Sequence, residues 1–183
     1  MRHFILLVLF IILGFTVWTA NYVGFFKSVE IEEGKRGPYI LLYKEHQGAY
    51  HKIVNVIKEV EQFANEKLVN CPDTFGEYLD NPETVEEGRL RSLGGCIIES
   101  FPSDLPSGYA LKEIPEKTYV IANFEGSPGI GPFKVYPKVN DYIRMKRLAM
   151  SGSVIEIYHI DDPESDTGMT TTYLFQTEPI EKK

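Results

Sequence analysis

Cysteine is scarce: the 183 residues include only Cys71 and Cys96. The two show no CxxC spacing and no histidine pair beside them, which argues against a zinc site or a redox pair and leaves buried thiols as the expectation. Basic charge is also short. Lys and Arg number 19 against 26 Asp and Glu, a net charge of −7. No clustered basic surface is available for phosphates, so no nucleic acid partner is expected and acidic substrates are disfavoured. Histidines are few and dispersed: His46 and His51 are close in sequence and His159 is distant, which supports no catalytic set. The loop "GSPGIGPF" lacks the Lys-Ser/Thr pair of a phosphate loop, and its prolines remove N–H donors. Asp80, Asp161 and Asp162 adjoin Asn-Pro and Asp-Pro turns without EF-hand spacing. No metal and no cofactor are expected.

One long apolar run is present. Phe4 to Phe26 contains no charged side chain, and a helix of that length reaches roughly 34 Å, enough to cross a bilayer. Trp18 and Tyr22 fall towards its C-terminal end, at the level amphipathic rings prefer, and Lys27 closes it. A cleaved signal peptide is the rival reading. Its small-x-small site is poorly met, because bulky Trp18 stands two positions before Ala20, so an uncleaved single-pass anchor over residues 1–27 is favoured. Arg2 lies on one side, with Lys27, Lys35 and Arg36 on the other. That count favours a cytoplasmic soluble domain.

Residues 28–183 read as one α+β domain. After a short charged linker from Lys27 to Gly37, "PYILLYK" is a strand. From Ala49 to about Lys67, Ile53, Val56, Ile57, Val60 and Phe63 share one helical face. Strands "TFGEYLD" and "RLRSLGGCIIE" follow, separated by an Asn81-Pro82 turn. The later stretch repeats this order: "YALKEIP" and "TYVIANFEG", a helix over Pro132–Leu148 with Val135, Val139, Tyr142 and Ile143 on one face, then "SVIEIYHI" and "MTTTYLFQTE". The phrases "YLDNP" and "YHIDDP" fall at matching places. The spacing therefore predicts a tandem duplication of a strand-helix-strand-strand unit, with pseudo-repeats at about 28–100 and 107–180.

The ordered phrases "GAYHKI", "YLDNP", "RSLGGCI", "KEIPEKTYVIANFEG" and "VIEIYHIDDP" resemble the GyrI-like small-molecule-binding family over about Glu30 to Glu178. Within it, "SVEIEEG", "YLDNPETV" and "DYIRMKRLA" are similar to a membrane-anchored branch acting in ER-phagy. That branch carries a long acidic tail with an autophagy motif, whereas this sequence stops five residues beyond Glu178, so the autophagy role does not carry over. The family resemblance implies a cleft between the two halves that takes hydrophobic, often cationic, small molecules.

Glu156 stands between Ile155 and Ile157, so the period of two sends it with Val154 and Tyr158 to the opposite face. Two readings stay open: a solvated outer face, or a carboxylate facing the cleft, where burial raises its pKa and a cation would favour its charge. The resemblance implies a pocket glutamate here. Tyr50, Tyr78 and Phe124, with Phe133 as a weaker fourth, are the candidate aromatic walls, because π faces attract cations. Ordinary core packing is the competing reading for each. The expectation is a membrane-anchored binding module for a hydrophobic, cationic small molecule. One alternative is a hydrolase of strained compounds using Glu156, though no second acid–base partner is evident. The other is a protein-interaction platform at the membrane surface, its protein partner unknown.

Overall fold

The computed structural model describes residues 1–102, 104–160 and 169–180. Helix α1 spans Arg2–Tyr22. Its His3–Tyr22 stretch has a mean hydropathy of 2.3 and none of it is buried in the protein. By length and composition it can cross a membrane. The helix stops before the expected Phe26, and residues 23–26 form a turn instead.

Among the described residues eight strands form one antiparallel sheet in the order β1-β6-β8-β7-β3-β4-β2-β5. They are β1 (Val29–Arg36), β2 (Tyr39–Gln47), β3 (Asp73–Tyr78), β4 (Arg91–Ile98), β5 (Ala110–Ile114), β6 (Lys117–Glu125), β7 (Leu148–Ile160) and β8 (Met169–Pro179). Helix α2 (Ile53–Glu66) follows β2 after a short 3₁₀ turn, and α3 (Gly131–Lys146) follows β6. Two elements thus share the order strand-helix-strand-strand. The turn at Asp161, Asp162 and Pro163, on which the second half of the sequence match rests, lies outside the described residues.

The expected linker Lys27–Gly37 is corrected: Val29–Arg36 is an edge strand paired with β6 from Val29↔Phe124 to Arg36↔Lys117. Its charges suit an edge, where one side of the ladder meets water. Edge strand β5 in turn pairs with β2. Each end of the sheet therefore borrows its outermost strand from the other stretch of chain, across the expected boundary between 100 and 107.

The connections also set the curvature. Arg36 and Tyr39 are three residues apart and can be separated by only about 11 Å. Yet β1 and β2 stand six positions apart in the sheet, roughly 29 Å if it were flat. The β5–β6 connection, Pro115–Glu116, imposes the same limit. The sheet must curl until its ends approach. On one face the curl encloses Leu41, Phe75, Leu93, Ile114, Tyr119, Ile121, Ile155, Ile157 and Leu174. The other face carries both helices. Ile57, Val60, Phe63 and Ala64 of α2 are buried, with Val60, Phe63 and Ala64 packed on Leu42, Cys96 and Ile98. Val135, Val139 and Ile143 of α3 pack on Val120, Ala122, Val154 and Phe175.

The cysteines are not free thiols, which is a second correction. Cys71 and Cys96 form a disulfide, with Cα atoms 5.4 Å apart. It ties the segment entering β3 to β4. The sequence separation of 25 residues matches no motif, so only the β3–β4 register, with Thr74 opposite Cys96, brings the sulfurs together.

Candidate functional site

The alternation of β7 sends Glu156 to the helix-bearing face, between Gly76 of β3 and Tyr173 of β8 in the ladder. Small residues create the space beside it. A Cβ on Gly94 would lie 3.0 Å from Ile53 and Ile57, so glycine lets α2 lie close without crowding those side chains. A Cβ on Gly76 would lie 3.1 Å from the Tyr78 hydroxyl, so its absence lets that ring lean across towards β7. The solvated reading of Glu156 is overturned, since the residue is only 3% exposed.

Tyrosines hold the carboxylate. Tyr136 of α3 donates to Oε1 and Tyr158 of β7 donates to Oε2, each at 3.1 Å. Tyr158 spends its proton on the carboxylate, so Tyr78 donates to the Tyr158 oxygen at 2.9 Å. Burial raises the Glu156 carboxyl from 4.5 to about 7, while the two hydroxyls, which favour the anion, limit that rise. Burial and the adjacent Glu156 push the Tyr136 and Tyr158 phenols well above their ordinary range. Both stay protonated donors. No Lys or Arg among the described residues pairs with Glu156. Near it on β8, the hydroxyls of Thr171 and Tyr173 are buried without a hydrogen-bond partner among the described residues. The Tyr173 hydroxyl lies against Gly131 at the start of α3, where any Cβ would collide with it, and Thr171, two residues before it on β8, is its nearest polar side chain on that face.

Of the sequence candidates, Glu156 and Tyr78 come together here. Tyr50 meets Tyr78 edge to face at 4.8 Å, and its hydroxyl donates to the Asp80 carbonyl at 2.6 Å. Phe124 is fully buried below the start of α3, near Gly126 and Gly131, in the same cluster as Tyr173 and Tyr136. Phe133 points outward and is 80% exposed. Sequence reasoning missed Tyr136 and Tyr173, and left Tyr158 unassigned although the period of two already placed it beside Glu156. Two surface recesses of about 370 and 350 Å³, one by Tyr39 and Ile97, the other by Gln47, Asp80 and Arg91, are not lined by Glu156 or the tyrosines that hold it.

A second polar chain crosses the opposite face. His159 Nδ1 lies 2.6 Å from Asp73 Oδ1, and its Nε2 lies 3.1 Å from Thr172 Oγ1. Thr172 Oγ1 donates in turn to Asn123 Oδ1 at 2.9 Å.

Residues 29–175 match the family described as the GyrI-like small molecule binding domain. The chain belongs to that family. Among solved structures, this GyrI-like chain is similar to the EcmrR C-terminal domain, with a TM-score of 0.68 and 15% identity over 83% of this chain and 99% of that one. EcmrR in its DNA complex gives a TM-score of 0.66 at 15% identity, over 83% of this chain and 58% of that longer one. SAV2435 bound to tetraphenylphosphonium gives 0.52 at 13% identity, over 80% of this chain and 93% of that one. A search of curated proteins returned no match, so the likeness to the ER-phagy branch finds no support there. At these identities the solved structures show that the GyrI-like fold is shared.

Proposed function

We propose that this protein is a membrane-anchored receptor for a hydrophobic, cationic small molecule held between α2 and α3, with Glu156 as the charge reader. One observation carries the reading: a carboxylate at 3% exposure is surrounded by aromatic rings and has no partner cation among the described residues. A buried anion without a counter-charge is costly, and a ligand cation relieves that cost while the rings provide π faces and apolar area. The lipophilic cation bound by SAV2435 is consistent with this choice of ligand class. Tyr136, Tyr158 and Tyr78 close the carboxylate off in the described state, so a ligand displaces at least one hydroxyl as it enters. Titration calorimetry with tetraphenylphosphonium and with a neutral aromatic of similar size tests the reading. Glu156→Gln should abolish the preference for the cation; equal losses for both ligands would remove Glu156 from this role.

The matched order β2-α2-β3-β4 and β6-α3-β7-β8 supports descent from a duplicated unit, with Tyr78 and Tyr158 as equivalents. α1 supplies the anchor. The Cys71–Cys96 disulfide supports a domain on the oxidising side of that membrane, against the Lys and Arg count after α1, because such bonds persist in oxidising compartments. Protease protection in sealed vesicles decides between the two orientations.

A hydrolytic reading is favoured by a different observation from the one first expected. Both oxygens of Glu156 already accept tyrosine hydroxyls, whereas Thr172, His159 and Asp73 stand as nucleophile, base and orienting carboxylate. In that reading Thr172 turns the proton it donates to Asn123 Oδ1 onto neutral His159 Nε2 as its Oγ1 attacks an ester carbonyl, the leaving alcohol takes that proton, and water releases the acyl group by the same route. Thr172→Val abolishing turnover of an activated ester would support it. An unchanged rate would dismiss it.

A further inference from the structure

The segment after α1 is not a loose tether. Gly24 has φ +81°, and a Cβ there would lie 2.7 Å from the Glu125 carbonyl, so the chain can press against the β6–α3 corner only with glycine at this point. The Ser127 amide donates to the Val23 carbonyl at 3.1 Å, and Lys27 pairs with Glu125 at 2.9 Å. Lys134, in the first turn of α3, turns its ammonium onto the carbonyls of Gly24 at 3.3 Å, Phe25 at 2.5 Å, and Lys27. A collar of residues 23–27 is thereby fastened to α3. Phe25 and Phe26 on this collar, and Phe133 next to Lys134 in α3, leave 59%, 65% and 80% of their surface exposed.

We infer that Phe25, Phe26 and Phe133 form a lipid-contacting surface that seats the β6–α3 corner in the headgroup region of the membrane. This rests on the anchor reading of α1. The occupant is set by continuity: the collar begins one residue beyond a 20-residue apolar helix, so rings fixed to it sit at the depth where that helix leaves the hydrocarbon, and aromatic side chains are favoured there. Rings of this size left in water would form a costly exposed patch. The seating has a consequence for the ligand. Tyr136, which touches Glu156, lies one helical turn beyond Phe133, so the tyrosine cluster is approached from the lipid side, and its ligand is an amphiphilic cation already partitioned into the bilayer.

The test uses the full chain in phosphatidylcholine vesicles with or without bromine on the acyl chains, which quenches nearby indoles. Trp18 is the chain's one tryptophan and reports on α1. A second protein, Trp18→Phe with Phe133→Trp, reports on the corner. Both indoles should be quenched, and adding Lys134→Leu should release the corner and restore most of the emission from position 133, circular dichroism showing that the fold persists. Quenching of Trp18 without quenching at position 133 overturns the inference and leaves the anchor standing. Quenching of neither overturns the anchor reading, and the inference with it. Quenching at position 133 that survives Lys134→Leu overturns the collar as its cause.

Discussion

Replacing Glu156 by Gln should stabilise the protein at pH 8 while weakening the cation binding proposed for it. The folded-state carboxyl is raised from 4.5 to about 7, so folding favours the protonated form. That contribution is fully present below about pH 4.5 and is lost as pH rises through 7. At 1.36 kcal/mol per pH unit, the charged residue costs the fold about 3 kcal/mol above pH 7. Gln keeps the size and the acceptor oxygen without taking that charge. Melting curves from pH 4.5 to 8.5, followed by near-ultraviolet circular dichroism on the chain from Val23 onward, should show the two proteins close together at the acid end. At pH 8 the variant should melt higher by roughly 6–12 °C, as expected for a domain of this size. Any constant offset reflects the amide's own hydrogen bonds; only the part that grows between pH 5 and 8 reports the buried charge. A difference that does not change with pH would refute the reasoning.

On the proposed reading cation affinity should rise with pH, because the anion is then the binding form. With the carboxyl near 7, tetraphenylphosphonium should bind about 100-fold more tightly at pH 8 than at pH 5, and calorimetry showing a flat profile would separate binding from Glu156. Tyr158→Phe removes a donor to the carboxylate, so the midpoint of that profile should move upward by about one pH unit; a downward move would mean the hydroxyl does not favour the anion. Gly95→Ala would put a Cβ 2.0 Å from the Leu42 carbonyl and break the β2–β4 ladder, and denaturant titration should show a loss of at least about 3 kcal/mol. Replacing Cys71 and Cys96 together by Ser should cost about 3 kcal/mol in the same titration, from the loop of 25 residues that the bond closes.

What the sequence made legible followed the strength of its periodicities. α2 and α3 were readable because Ile53, Val60, Val135 and Val139 recur on single faces, and Glu156 stood out as a charge at an alternating position in an apolar strand. β1 was hidden by its five charged residues, since an edge strand has no need of a continuous apolar stripe. The partners of Glu156 were hidden for another reason. Which tyrosine meets the carboxylate depends on how α3 is rotated over the sheet and on the β3–β7 register, and neither is written in a local pattern. Phe124 joins the cluster of Tyr173 and Tyr136 under α3 whereas Phe133 faces outward, because being aromatic near a seam does not fix the side to which a ring turns.

The exchange of edge strands governs how the protein can be made. β1 emerges from the ribosome immediately after α1, but its partner β6 follows only roughly 80 to 95 residues later. Until then a charged strand waits unpaired, and β2 likewise lacks its β5 neighbour. Neither stretch can complete its end of the sheet alone. A chain broken near residue 105 should therefore yield fragments that become native only when mixed, each supplying the strand the other lacks.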